Sequence, residues 1–209
     1  VSADFTATAS TQNNKALADA VLTAAAGKDI DLGLATGGFG FTANGNTGNE
    51  IIKGSALADI ITGAAGADTV TGNAGVDNFV QAENASVAYT AEALGNADMQ
   101  DAETITFGNG LDVITDWTDG TDKIDTTVAS DFAYLAVEAD LTGQATEKNI
   151  GIRGTFNTST KVFTVATTTG NDALVLMGTE NADMMNAANN DHFVVIQNAA
   201  GNLAAADFV

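Results

Sequence analysis

The chain has 209 residues, with 27 acidic side chains against 7 basic ones and a formal net charge of −20. That balance argues against nucleic acid or an anionic membrane surface as partner, since both need a basic footprint, and favours divalent cations, whose usual ligands are clustered carboxylates. With no cysteine, no proline, one histidine and 22 glycines, the composition leaves no disulfide, thiol nucleophile or His/Cys zinc site, and the turns must be built by Gly, Asn and Asp.

The first residues, Val1 to Phe5, show neither a basic region nor an apolar core of a signal peptide, so either one was cleaved or export uses another route. No stretch has the length of a membrane-spanning helix, and membrane insertion is not expected. Residues Lys15 to Ala26 predict a short helix, with Asn14 as N-cap and Gly27 as the residue that ends it. Leu17, Val21 and Leu22 would share one face of it. Residues 29–34 alternate and predict a strand, and Gly37 to Phe41 predict a turn into another. Residues 1–44 are therefore expected to form a helix-and-strand cap.

The informative segment is 45–80. Written in nines it reads GNTGNEIIK, GSALADIIT, GAAGADTVT and GNAGVDNFV. The first position is Gly45, Gly54, Gly63 and Gly72. The fourth is Gly48, Leu57, Gly66 and Gly75, and the sixth is Glu50, Asp59, Asp68 and Asp77. The eighth is Ile52, Ile61, Val70 and Phe79, apolar and either β-branched or aromatic, as an inward-pointing strand residue should be. Glycine permits tight bends with φ > 0, and each acid offers a carboxylate at a bend. On residue types alone, a metal-free solenoid or Gly/Asp turns in an ordinary β-meander also fit.

The unbroken register resembles the nonapeptide of calcium-binding parallel β-rolls, the RTX or hemolysin-type repeat. The resemblance implies that two nonapeptides make one coil, so that turns on one side lie eighteen residues apart. Asp59 would then face Asp77 across one calcium ion, and Glu50 would face Asp68 across another. Carbonyls of the glycine turns, around Gly48, Gly66 and Gly75, would complete the oxygen shell. The stacked acids would repel without the cation, so the coil should close only with calcium. Three departures stand out: the second position is never Gly (Asn46, Ser55, Ala64, Asn73), Leu57 stands for Gly, and Glu50 stands for Asp. The Glu50 site is expected to be the weaker.

Residues 83–104 are acidic and weakly patterned, and are expected to be an insertion. Residues 108–126, GNGLDVITDWTDGTDKIDT, alternate so that Asp112 and Asp116 flank Ile114 on one strand face. This stretch resembles the one that follows the roll in the C-terminal domain of serralysin-type secreted proteases. It matches at Gly110, Asp112, Ile114, Asp116, Gly120, Asp122, Lys123, Ile124 and Asp125, with Trp117 in place of Phe. The resemblance implies that the coil continues here with Asp112, Asp116, Asp122 and Asp125 as further metal ligands. Solvated turn acids are the plain alternative. Residues 130–141 are expected as helix or loop. Residues 155–195 resemble the same domain: Thr158 to Thr160 as a turn, Val162, Phe163 and Val165 in the returning strand, and Asp191 to Val195 as a closing strand. Residues 105–196 are thus expected as a β continuation, and 197–209 as a flexible tail that resembles a type I secretion signal.

The expected fold is all-β: a parallel β-roll with calcium-binding turns, continued by antiparallel strands, with a short N-terminal helix. No H-E-x-x-H or G-x-S-x-G occurs, and His192 reads as a strand residue rather than a catalytic one. The expected function is that of a secreted, non-catalytic, calcium-binding structural protein. It would fold on extracellular calcium and self-assemble at the cell surface as a layer, fibre or matrix subunit. The alternative is the folding and type I secretion module of a larger secreted hydrolase or toxin.

Overall fold

The structure is a computed structural model that describes residues 1–81, 89–93, 101–107, 111–126, 132–134, 149–177, 192–199 and 201–209. Its centre is a parallel solenoid of short strands alternating between two sheets. One sheet stacks β1 (Phe5–Thr6), β4 (Ile30–Asp31), β7 (Ile51–Lys53), β9 (Thr69–Thr71) and β13 (Asp112–Ile114). The other stacks β3 (Ala20–Thr23), β6 (Phe41–Asn44), β8 (Ile60–Thr62), β10 (Asn78–Gln81) and β14 (Lys123–Thr126). A small parallel pair, β2 (Gln12–Asn13) with β5 (Thr36–Gly37), lies in the first two connections.

The eighth-position residues explain why the coil closes. Register stacks Ile30, Ile52, Val70 and Ile114 in the first sheet, and Ala43, Ile61, Phe79 and Ile124 in the second. All are buried in one core. Each buried Ile or Phe contributes about 1.5–3 kcal/mol, so the two columns together supply most of the drive to coil. Trp117 closes the lower end of this core against Phe79, with ring centroids 6.3 Å apart.

The first sheet does not stop at β13. It continues through β19 (His192–Ile196), which runs parallel to β13, and then through the antiparallel strands β18 (Asp172–Met177), β16 (Asn149–Asn157), β17 (Val162–Val165), β12 (Thr104–Phe107) and β11 (Tyr89–Ala93). β15 (Phe132–Tyr134) pairs with β16. This arrangement explains the unbroken apolar run of β18. Ala173, Val175 and Met177 face the roll's core, while Leu174 and Leu176 face a second core that includes Phe163, Phe193 and Ile152. A strand covered on both faces needs no polar alternation. The turn at 158–160 and the returning strand at Val162–Val165 form as expected, with Asn157 Oδ1 accepting from Ser159 N and Thr160 N at 3.0 Å each.

The N-terminal helix, the separate N-terminal cap and the loose tail are not what the structure shows. The helix predicted over Lys15 to Ala26 does not form: that stretch carries β3, which pairs with Phe41–Asn44. Its helical face is not one, since Leu17 is 86% exposed and Val21 60%. Ala-rich composition favours helix locally, but burying Ala24 beside Ala43 and Phe41 in a sheet wins. Consequently residues 1–44 are the first coils of the roll and not a separate cap. The tail is also not loose. Phe208 bridges to Ile124 and stacks on Phe132 at 4.6 Å, and buried Asp207 pairs with Lys123 at 3.6 Å. The insertion at 83–104 contains β11, which pairs with β12. The helix or loop expected at 130–141 lies outside the described residues apart from β15, as do Gly110 and Asp191. Among the described residues no helix is long and apolar enough to cross a membrane.

Candidate metal-binding turns

Two columns of turns run along the solenoid, one on each side. The first holds the turns at 24–29, 45–50 and 63–68 and reaches Asp112. The second holds the connections at 7–19 and 32–40, then the turns at 54–59, 72–77 and 115–122. The nonapeptide repeat places one acid at the end of each turn, just before a strand, and the parallel register stacks them. In the first column Glu50 N donates to Asp68 Oδ1 at 2.7 Å, and Asp68 N donates to Asp112 Oδ1 at 3.0 Å. In the second, Phe41 N donates to Asp59 Oδ1 at 2.7 Å, Asp59 N to Asp77 Oδ1 at 2.9 Å, and Asp77 N to Asp122 Oδ1 at 3.1 Å. Each carboxylate thus holds the backbone of the coil above it.

The second carboxylate oxygens divide the acids into two groups. Glu50 is satisfied from within the protein, by Gly27 N on Oε1, Gly48 N on Oε1 at 3.0 Å and Asn46 N on Oε2 at 3.2 Å. Asp59 Oδ2 accepts from Ser55 N and from the Ser55 hydroxyl. Asp122 Oδ2 accepts from Thr118 N at 2.8 Å. Asp68 Oδ2 and Asp77 Oδ2, by contrast, are buried and have no hydrogen-bond partner. A buried carboxylate oxygen left bare is costly unless a cation meets it.

Backbone oxygens gather at the same places. A Cβ on Gly66 would lie 1.7 Å from the Gly48 carbonyl oxygen, and one on Gly45 would lie 2.1 Å from that of Gly63. In the second column a Cβ on Gly75 would lie 2.4 Å from the Leu57 carbonyl oxygen, and one on Gly54 would lie 2.6 Å from that of Gly72. In each column one of these carbonyls shares its place with a carboxylate: the same Cβ on Gly45 would lie 3.1 Å from Glu50 Oε2, and that on Gly54 2.7 Å from Asp59 Oδ2. Among the described residues no three carboxylate or imidazole groups converge on one point. A cation here must therefore draw on these carbonyls together with a pair of acids, which is the mixed oxygen set that calcium takes. The bare carboxylate oxygens and the carbonyl-lined turns fit such an ion.

The electrostatics point the same way. Burial pushes Asp68 up to about 7 against the opposing hydrogen bond from Glu50 N, and the Glu50 carboxylate adds to the rise. Burial likewise lifts Asp77 to about 7, with Asp59, Asp122 and Asp116 adding repulsion. Asp59 and Asp122 are raised by burial as well, and Asp112 well above the ordinary carboxylate range. These acids resist ionising chiefly because they are buried, with neighbouring carboxylates adding to the effect at Asp68, Asp77 and Asp112, and a divalent ion would reverse that.

The acids read from the sequence do not all join the columns. Asp116 stands in the second column, its two oxygens accepting from Gly72 N at 2.8 Å and Asn73 N at 2.7 Å. Asp125 does not. It sits inside β14 opposite Val80, half-buried, with Ile124 rather than Asp125 pointing inward. Strand parity sends Asp122 and Ile124 one way and Lys123 and Asp125 the other. Ser55 was not singled out from sequence, although a hydroxyl at the second position of a repeat is the signal for its contact with Asp59.

The second position also shows what losing glycine does. Ala64 and Asn73 take φ of 72° and 69°. The left-handed region costs an alanine roughly 1–2 kcal/mol. Ala64→Gly is therefore expected to stabilise the protein by about 0.5–1 kcal/mol after the entropy of the extra glycine is counted. A urea melt of the two proteins at equal calcium measures it.

Five coils of parallel strands with stacked acidic turns define a calcium-binding β-roll. Residues 44–79 match the RTX calcium-binding nonapeptide repeat in four copies, and these repeats are calcium-binding motifs. In fold the chain is similar to the solution structure of the AlgE6R2 subunit from the Azotobacter vinelandii mannuronan C5-epimerase, with 17% identity, a TM-score of 0.50, and 93% of this chain and 94% of that chain covered. It is also similar to the AlgE6R3 subunit from that enzyme, with 17% identity, a TM-score of 0.42, and 93% and 81% covered. No curated protein sequence matches the chain.

Proposed function

We propose that this chain is a calcium-triggered structural module of a secreted protein, unfolded where calcium is scarce and rigid where it is plentiful. The observation that carries this reading is the pair of buried, partnerless oxygens, Asp68 Oδ2 and Asp77 Oδ2, one in each column of stacked turns. The ligand sets are Glu50 and Asp68 with the Gly48 and Gly63 carbonyls, and Asp59 and Asp77 with the Leu57 and Gly72 carbonyls. The glycines at 66 and 75 make room for the carbonyls above them. Asp112, Asp116 and Asp122 extend the two columns. When bound, calcium supplies the positive charge that lets the stacked acids ionise together, and extracellular modules of this kind bind it at about 10⁻⁴–10⁻³ M. The carboxylates are tied to backbone N–H groups of neighbouring coils, which suits a structural role rather than acid–base chemistry.

The test is a calcium titration followed by circular dichroism. Asp68→Ala is expected to raise the calcium midpoint by about tenfold. Asp101→Ala should leave it unchanged, since exposed Asp101 only caps Thr167. Equal midpoints for the two variants would remove the site assignment.

In this reading the folded module also associates with copies of itself at the cell surface. The outer edge of β3 has no strand partner among the described residues, being covered only at its end by Val1, which donates to Thr23 O and accepts from Ala25 N, and Leu17 and Val21 are exposed there. Unprotected strand edges invite pairing. Calcium-dependent light scattering is expected to report assembly, and a monodisperse monomer at millimolar calcium would end this part of the proposal. The likeness to a subunit of an epimerase favours a second reading, a non-catalytic module of a longer secreted enzyme. The intact mass of the native product separates the two.

A further inference from the structure

The acidic columns do not run the full length of the roll. In the first column the place two residues before the inward Ile30 is held by Lys28, where Glu50 stands before Ile52. In the second, Phe41 occupies the register position of Asp59 one coil above it. The first coils nevertheless bring turn carbonyls together as the later coils do. Above Asp59 the carbonyls of Ala18, Phe39 and Gly40 all point at one atom, Asn13 Nδ2, at 3.1, 3.3 and 2.7 Å. Asn13 is 4% exposed. Its Oδ1 accepts from Lys15 N at 3.0 Å, which orients the amide so that its donors face the carbonyls.

We propose that the Asn13 amide is a built-in substitute for a bound cation, closing the uppermost oxygen nest of the second column and ending the metal-dependent part of the roll there. The chemistry is direct. An NH₂ group presents two donors to a ring of acceptors and carries a partial positive charge into it. One coil lower, the Gly72 carbonyl oxygen and Asp59 Oδ2 come within 2.7 Å of one point, the place of a Cβ on Gly54, and Asp77 Oδ2 is buried with no hydrogen-bond donor from the chain. Buried acceptors of the second column are thus met by the chain's own donor in one coil and left without one in another. A carboxylate in place of the amide would add a fourth acceptor to three carbonyls. That repels without metal and forms a calcium-type site with it.

This inference builds on the calcium reading, but it is tested separately. The full-length protein, Asn13→Asp and Asn13→Ala are compared by equilibrium dialysis against calcium and by thermal melts at saturating calcium. Asn13→Asp is expected to bind one more calcium per chain than the unaltered protein, to show a steeper calcium dependence of folding, and to melt at the same temperature once calcium saturates. Asn13→Ala should keep the original stoichiometry and melt about 4–8 °C lower at any calcium level, having lost its buried amide contacts. If Asn13→Asp binds no additional calcium and melts as low as Asn13→Ala, or fails to fold at any calcium concentration, the substitution idea is overturned. If instead the unaltered protein binds no calcium, the calcium reading falls, and the inference stands or falls on the variant's own gain.

Discussion

Acidifying the calcium-free protein from pH 8 to pH 5 is expected to restore the β structure that a chelator is expected to remove. Asp68 and Asp77 titrate near 7 in the folded chain, against an ordinary value of 3.8 in the unfolded one. Between about pH 4 and pH 7 the folded state therefore binds more protons than the unfolded state. Stability is fully present below the unfolded value, falls as pH rises through this window, and levels off above about 7. Asp59, Asp112 and Asp122 are shifted in the same direction and deepen the slope. In the proposed reading, protons and calcium are alternative ways of neutralising the same columns. It follows that calcium uptake releases protons at pH 6–7, and that the apparent affinity drops up to tenfold per pH unit for each carboxylate that must deprotonate. Asp68→Asn together with Asp77→Asn mimics the protonated state. That double variant should keep its β signal in chelator at pH 8 and lose most of its response to both calcium and acid. Circular dichroism across a pH series, with and without chelator, measures all of this; a chelated protein equally unfolded at pH 5 and pH 8 would contradict it.

Gly66→Ala is expected to be the most damaging single methyl group in the roll. Its Cβ would sit 1.7 Å from the Gly48 carbonyl oxygen, a contact with backbone that no rotamer can relieve, and the residue has a φ of 149°. The two coils would have to part at the very turn where the oxygens gather. A loss of about 3–5 kcal/mol follows, enough to unfold a domain of ordinary stability. The expected losses therefore include both the denaturation midpoint and the calcium response. Gly120→Ala is the control: its φ is 68°, but nothing lies within 4 Å of the added carbon, so only the backbone penalty of about 1–2 kcal/mol applies. Urea melts at saturating calcium rank the two; equal losses would show that coil spacing is not set at Gly66.

The middle of the chain was readable from sequence because its period is short and its positions are chemically distinct. Ile52, Ile61, Val70 and Phe79 are all inward, and the acids at the sixth position do stack eighteen residues apart. The coils on either side were harder to see. Upstream, the connections at 7–19 and 32–40 are longer than a nonapeptide turn, and their glycines (Gly33, Gly37, Gly38 and Gly40) and single acid (Asp19) do not fall in the nine-residue register. Their inward residues are mainly alanines, which read as helix when only local preference is consulted. The pairing of Ala20–Thr23 with Phe41–Asn44 is a tertiary fact, absent from either segment alone. Downstream, Asp122 and Asp125 look equivalent as letters, and only the two-residue alternation of β14 separates the turn acid from the strand acid. The tail was misread for a related reason: the residues that hold Phe208, namely Ile124 and Phe132, lie more than seventy positions earlier.

One feature of the sheet bears on how the molecule comes into being. β13, the last strand of the first sheet's parallel stack, has its outer edge occupied by β19, which joins Asp112 to Val194. A chain emerging from the ribosome N-terminus first can wind its early coils but cannot seal the stack until residue 196 has emerged. Pairings so distant along the polymer are slow to find. Closure of the parallel stack thus waits for residues 192–196, and until they arrive the rim of the first sheet at β13 stays open.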